Sequence, residues 1–124
     1  MGRILIIDDD YHILKMMKKM LERAGFEVEL ASNGNEGLKV FKTTPADLVI
    51  CDIIMPEKEG LETIREMKRL YTNLKILAMS GGGRVTTKSY LNTARAFGAT
   101  KTMGKPFSQK QMVSTVQELM RNAS

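Results

Sequence analysis

Leu48-Val49-Ile50-Cys51-Asp52-Ile53-Ile54-Met55-Pro56 is the stretch whose reading decides the fold. Leu48 to Cys51 is a short apolar run with β-branched residues at its centre, and it breaks off at Asp52. A run that is apolar at successive positions reads as a strand buried on both faces, the kind found inside a parallel sheet. A carboxylate at the end of such a strand is costly to desolvate unless a cation or a reaction keeps it there. In open α/β sheets, ligands bind outside the carboxyl ends of the strands. Asp52 therefore sits where chemistry is expected.

Working outward, the same pattern recurs. Arg3-Ile4-Leu5-Ile6-Ile7 is a second buried strand, and it runs into Asp8-Asp9-Asp10. Asp10, just before Tyr11, suits a helix N-cap. Three aspartates exceed what capping needs, and a bound cation would relieve their repulsion. Residues 11–24 have helical period: Ile13, Leu14, Met16, Met17, Met20, Leu21 and Ala24 fill one arc, and Lys15, Lys18, Lys19, Glu22 and Arg23 the other. That apolar arc is wider than one packing stripe, so its edges, Leu14 and Met16, are expected either in the core or against a partner helix. Gly25 ends the helix. Phe26 to Ala31 reads as a strand, Asn33-Gly34 as a turn and residues 35–43 as a short helix stopped by Pro45. After Met55-Pro56, Gly60 falls in a turn or first helical turn, ahead of a stripe of Leu61, Ile64, Met67 and Leu70. Leu74 to Met79 is a fourth strand, ending in Ser80-Gly81-Gly82-Gly83. Residues 86–97 form a helix, Thr100 to Met103 a fifth strand ending near Lys105-Pro106-Phe107, and residues 108–122 a last helix carrying Met112, Val116, Leu119 and Met120.

Strand and helix alternate five times along the chain. Right-handed crossovers then imply one doubly wound α/β domain over residues 1–124, with a five-stranded parallel sheet between helical layers. The expected order is 2-1-3-4-5, which sets the first and third strands side by side at the switch point. Asp8, Asp9, Asp52, Ser80 and Lys105 would converge at one rim.

Composition bounds the function. The 124 residues fit one domain with a real core. There is no run of the roughly 20 apolar residues a membrane span needs, and no signal-peptide pattern. The single cysteine, Cys51, excludes an intrachain disulfide and reads as a small buried hydrophobe. A cytoplasmic setting without membrane association is expected. Net charge is +5, unevenly spread: residues 1–69 carry 11 Lys/Arg against 13 Asp/Glu, and residues 70–124 carry 8 against Glu118 alone. The basic half is either a plainly solvated surface or a docking face for an acidic partner. Direct nucleic-acid binding is not expected, because few aromatics lie among the cations.

Three carboxylates, a hydroxyl and an ammonium at strand ends suit Mg²⁺, which keeps several waters and takes one or two carboxylates; Mn²⁺ can take its place. No Cys/His set exists for zinc, and His12, the only histidine, falls in the first turn of a helix. Gly81-Gly82-Gly83 lacks the following Gly-Lys-Ser/Thr of a P-loop but offers N–H groups to an anion beside Ser80. The simplest chemistry for the set is phosphoryl transfer to Asp52. Mg²⁺ and Lys105 would neutralise the equatorial oxygens, and Ser80 Oγ with the Gly81 N–H would bind the attached group.

With Ile7-Asp8-Asp9, Asp52 with Met55-Pro56 and Gly60, Ser80-Gly81, and Lys105-Pro106-Phe107 in place, the whole chain resembles the receiver domain of two-component response regulators. The resemblance implies that Asp52 accepts a phosphoryl group from a phosphohistidine on a histidine kinase or phosphotransfer protein. It also implies that Asp9 and Asp52 ligate Mg²⁺, with Asp8 assisting through water and the backbone carbonyl of Ile54 completing the set. Lys105 would pair with Asp52 or its phosphate, and Pro106 would follow a cis peptide bond. Such a domain is a switch and not a dedicated enzyme, acting through the face of its fourth helix, fifth strand and fifth helix. It can stand alone or belong to a longer chain. Where the family carries an aromatic residue three positions before the lysine, this chain has Thr102, and the stretch from Ser80 to Gly98 is longer than usual, so Gly81 to Thr87 is expected as an extended mobile loop.

Two rival classes are weaker. A haloacid-dehalogenase-like phosphatase needs a second Asp two positions after its nucleophile, and Ile54 stands there. A flavodoxin-like cofactor binder would bring flavin phosphate to an acidic rim that repels it.

Overall fold

A computed structural model describes residues 2–53, 59–80 and 87–121. Its elements run β1 (Arg3–Ile7), α1 (Tyr11–Arg23), β2 (Glu27–Ala31), α2 (Gly34–Thr43), β3 (Leu48–Asp52), α3 (Glu59–Leu70), β4 (Lys75–Ser80), α4 (Thr87–Phe97), β5 (Lys101–Gly104) and α5 (Gln109–Arg121). The strands form one parallel sheet in the order β2-β1-β3-β4-β5, as the alternation of apolar runs and amphipathic helices requires. β3 is buried at every position, Asp52 included, so the stretch read as a central strand is one.

Local chemistry sets the element ends. The Asp10 side chain caps α1 by accepting from the amides of His12 and Ile13. Gly25 follows with φ of 100°, a turn that a side chain would strain. Asn33-Gly34 is not a free turn: Asn33 caps α2, accepting from the Glu36 amide at 2.8 Å, while the Glu36 carboxylate reaches back to the Ser32 amide. A polar residue before glycine serves a turn and a helix start equally well, which is why the sequence pattern misplaced it.

The helices cover both faces. α1 and α5 pack Leu14, Met17, Met20, Leu21, Met112, Val116 and Leu119 onto Ile4, Ile6, Ile50, Leu77 and Met79. On the other face α2, α3 and α4 bring Phe41, Ile64, Met67 and Ala94 onto Leu5, Ile7, Val49, Cys51, Ile76 and Ala78. Leu70 leaves the expected α3 stripe and is 45% exposed. Spacing of three residues drifts about 60° per step on a 3.6-residue helix, so the stripe has turned away by its fourth member. Leu14 is core, whereas Met16 stays 44% exposed. Among the described residues no helix is long and apolar enough to cross a membrane.

Candidate functional site

β1 and β3 lie side by side, with Ile7 opposite Cys51, so the residues that follow them meet at one rim. Asp8 is fully buried there, its amide donating to the Ala31 carbonyl. One of its carboxylate oxygens accepts from the Asp10 amide at 2.8 Å, and the other accepts from Lys105 Nζ at 3.0 Å. The three aspartates thus divide their work: Asp10 caps the helix, Asp8 is held in place, and Asp9 is exposed at the rim.

Asp52, 5% exposed, ends β3. Lys105 Nζ lies 3.5 Å from its carboxylate. The expected pairing of Lys105 with Asp52 is therefore shared with Asp8, which is the nearer partner. Burial alone would lower the pKa of Lys105, but Asp52 and Asp8 together outweigh it and hold the pKa above the ordinary 10.5. β4 and β5 position this lysine: Ser80 is in register with Gly104, and the Lys105 amide donates to the Ser80 carbonyl at 2.7 Å. The Lys105–Pro106 bond is cis, as the family resemblance implies.

Two features fit a guest. Oxygen atoms of Asp8, Asp9 and Asp52 all lie within 4.8 Å of one another, a cluster of hard oxygens suited to a divalent cation that keeps some of its waters. Ser80 Oγ is buried with no hydrogen-bond partner among the described residues, an orphaned hydroxyl that an anionic oxygen would satisfy. Ile54 and Gly81, the remaining expected contacts, lie outside the described residues, as do Met55-Pro56 and residues 81–86 of the expected loop. His12 is exposed on α1.

Sequence reasoning placed Gly60 in a turn or first helical turn and counted it in the family motif, and it falls in the first turn of α3. A Cβ there would come 2.5 Å from Ile53 Cα and 2.9 Å from Ile53 C, and would press on the Asp52 carbonyl oxygen. The glycine lets the first turn of α3 sit directly on the strand end that carries Asp52. The signal was available as a lone glycine opening an amphipathic stripe, but its meaning needed the contact.

The model of the response regulator receiver domain matches residues 4–117. The chain belongs to the response regulator receiver family. It is 27% identical over 124 residues to a transcriptional regulatory protein CpxR homolog of Haemophilus influenzae, covering all of this chain and 52% of that protein. It is 29% identical over 121 residues to the alkaline phosphatase synthesis transcriptional regulatory protein PhoP of Bacillus subtilis, covering 98% of this receiver and 49% of that protein. The chain thus spans about half the length of these curated relatives. Among solved structures, a response regulator receiver domain protein from Clostridium thermocellum superposes with a TM-score of 0.87 at 29% identity, covering 98% of this receiver and 95% of that chain. The Vibrio cholerae chemotaxis protein CheY4 gives 0.85 at 30% identity, covering 96% and 98%. The receiver carries its acidic set, Lys105 and Ser80 on the ends of four strands of that shared fold.

Proposed function

We propose that this receiver is a phosphorylation-dependent switch in which Asp52 takes a phosphoryl group from a phosphohistidine of a sensor kinase or phosphotransfer protein. The observation that carries the reading is the convergence of Asp52, Lys105, an orphaned Ser80 hydroxyl and two further carboxylates at one rim. A carboxylate oxygen of Asp52 forms the new bond to phosphorus. The bond from phosphorus to the imidazole nitrogen breaks, and its electron pair stays on the imidazole. Lys105 holds Asp52 and Asp8 at the rim and offers its ammonium to the transferred oxygens. Ser80 Oγ donates to one of those oxygens. Asp8, Asp9 and Asp52, with the Ile54 carbonyl, would hold Mg²⁺, which supplies charge neutralisation for the carboxylates and the incoming group.

The domain acts as a switch and not as a dedicated enzyme. Ile54 cannot transfer a proton, so water attacking the aspartyl phosphate finds no general base at that position and loss of the group is slow. Output runs through the α4–β5–α5 face to a partner with an acidic surface, and this binding weakens from low to high salt. Part of the basic surplus is already engaged there: Lys101 pairs with Glu118, and Lys75 Nζ donates to the Leu119 carbonyl at 3.0 Å. A cytoplasmic setting follows from a kinase as phosphodonor, and neither direct nucleic-acid contact nor membrane contact is part of the reading. The test is intact-mass measurement after incubation with Mg²⁺ and acetyl phosphate or phosphoramidate. An added phosphoryl mass on the wild type, absent from Asp52→Ala, supports the reading; equal labelling of both would end it.

A further inference from the structure

α2 and α3 lie side by side and run the same way, because each returns between parallel strands. Toward their C-terminal ends they are closed against each other: Phe41 of α2 and Tyr71, which follows α3, stack with ring centroids 4.5 Å apart. Toward their N-terminal ends they part around a cleft of about 360 Å³. α2 lines it with Gly34, Asn35 and Leu38, and α3 with Glu62, Thr63 and Glu66. Both triplets follow the spacing i, i+1, i+4, which is one face of a helix. Gly34 brings no side chain and Thr63 is buried, so small residues leave the cleft open and two carboxylates edge it. The chain carries 19 Lys/Arg against 14 Asp/Glu, yet no cation among the described residues lines this cleft. Of the nearest cations, Arg65 lies 5.6 Å over the Phe97 ring of α4. Arg69 donates to Glu66 at 2.7 Å, but both side chains are exposed and such a pair is easily exchanged. Glu62 is exposed with no ion pair among the described residues. Leu70, the exposed apolar side chain of α3, continues the same row: it follows Glu62 and Glu66 at intervals of four and sits about 6 Å beyond Glu66 along the axis.

We infer that the α2–α3 cleft is a docking site for a basic helix of a partner protein, which sets an arginine between Glu62 and Glu66 and an apolar side chain, one turn away, on Leu70. A guanidinium fits better than an ammonium. Its planar fork serves two acceptors at once, and Glu62 and Glu66, one turn apart on the same wall, supply them. Glu66 already accepts the chain's own Arg69, so the incoming arginine exchanges an exposed pair for one set in the cleft. The exposed Leu70 gives the helix an apolar anchor beside the charged one, and together the two fix its direction along the groove. An anion is disfavoured, because Asn33 already caps the N-terminus of α2 and both carboxylates would repel it. The site stands apart from the phosphoacceptor, since Asp8, Asp9 and Asp52 do not line it. It also calls for the opposite charge from the acidic partner assigned to the α4–β5–α5 face, so one receiver can tell the two partners apart by sign.

The test titrates alanine-rich helical peptides of equal length into the ¹⁵N-labelled receiver. One carries arginine and leucine four residues apart, a second has lysine in place of the arginine, and a third has glutamate there. The arginine peptide is expected to shift amides of Gly34–Thr43 and Glu59–Leu70, and to bind at least about tenfold more weakly when salt rises from about 50 to about 500 mM. The lysine peptide should bind several-fold more weakly and the glutamate peptide should leave those amides unmoved. Glu62→Gln/Glu66→Gln changes two exposed positions without disturbing the core, and should weaken the arginine peptide at least about tenfold. Leu70→Ser should weaken it about fivefold, the share of one half-exposed leucine. The acidic rim is the competing site for a cation, so Asp9→Asn is run beside these variants and should bind the arginine peptide as the wild type does. A loss in Asp9→Asn equal to that in the glutamine variant would put the peptide on the rim and overturn the inference. So would shifts centred away from α2 and α3, or a glutamate peptide that binds as well as the arginine one.

Discussion

Replacing Asp52 by Asn should make the metal-free receiver more stable, although the change removes an ion pair. Three charged groups among the described residues act on Asp52 at known distance: Lys105 Nζ attracts it at 3.5 Å, and Asp8 and Asp9, with oxygens within 4.8 Å, repel it. At an effective dielectric of about 20 the attraction is about 5 kcal/mol and each repulsion about 3.5 kcal/mol. Asp9 is exposed, so its share is cut to about half by solvent. The balance is near zero to slightly unfavourable, and the cost of burying a second carboxylate beside Asp8 adds to it. Asn keeps the shape and removes both, so a gain of about 1–2 kcal/mol is expected, or about 4–8 °C in Tm for a domain of this size. Mg²⁺ should reverse the order. Binding to the wild type at about 100 times Kd adds about 2.7 kcal/mol, while the variant, short of a ligand, gains little. The assay is thermal unfolding of both proteins in EDTA and in excess Mg²⁺. A variant that melts below the wild type in EDTA, or that gains as much from Mg²⁺, would refute the picture of a rim strained by carboxylates and relieved by a cation.

Asp10→Ala should cost about 1 kcal/mol in urea unfolding through loss of the α1 cap, yet leave Mg²⁺ affinity intact, because the amide that holds Asp8 survives the change; Asp9→Ala should do the opposite. Gly60→Ala should cost about 3 kcal/mol, since Ile53 backbone atoms cannot yield to the new methyl, and should slow phosphoryl uptake from acetyl phosphate by displacing Asp52. Lys105→Met leaves two buried carboxylates without their cation and should cost about 3 kcal/mol, read as the gap between wild-type and variant denaturation midpoints. The Lys105 pKa is raised above 10.5 in the fold, so that gap should hold constant from neutral pH up to about 10.5 and shrink only above it; a gap that closed between pH 6 and 9 would contradict the pairing.

The buried strands were legible because Ile4 to Ile7 and Leu48 to Cys51 carry no alternation, and only a sheet covered on both faces accepts that. From strand order alone, Asp8, Asp52, Ser80 and Lys105 could be placed at one rim, since crossover handedness leaves few arrangements. What stayed hidden depends on distance. No pattern says that Lys105 leans closer to Asp8 than to Asp52, because both acids end neighbouring strands and the difference is half an ångström. Nor could the pattern separate Leu14 from Met16, which flank the same apolar arc. α1 sits so that one meets the sheet while the other faces out.

Thr102 bears on how a phosphoryl group at Asp52 would be felt elsewhere. It stands beside Ala78 in the sheet, on the face that α4 covers, at the position where the family resemblance implies an aromatic ring. A threonine side chain is short and stiff about χ1, and cannot sweep from buried to exposed. The neighbouring Gly104 offers no side chain at all, and nothing lies within 4 Å of where its Cβ would be. The opposite face of the same strand pair is different: Met79 and Met103 lie side by side beneath α5, joined by Met112 and Met120, with Met17 and Met20 from α1. Methionine repacks at low cost, so this layer tolerates small shifts of β4 and β5 that the other layer, with Met67 as its one buried methionine among the described residues, resists. The Lys105 amide is bonded to the Ser80 carbonyl, so any movement of Ser80 towards a phosphoryl oxygen pulls directly on β5. A response to a phosphoryl group on Asp52 would therefore have its least costly route through the backbone of β4 and β5 into the methionine layer under α5.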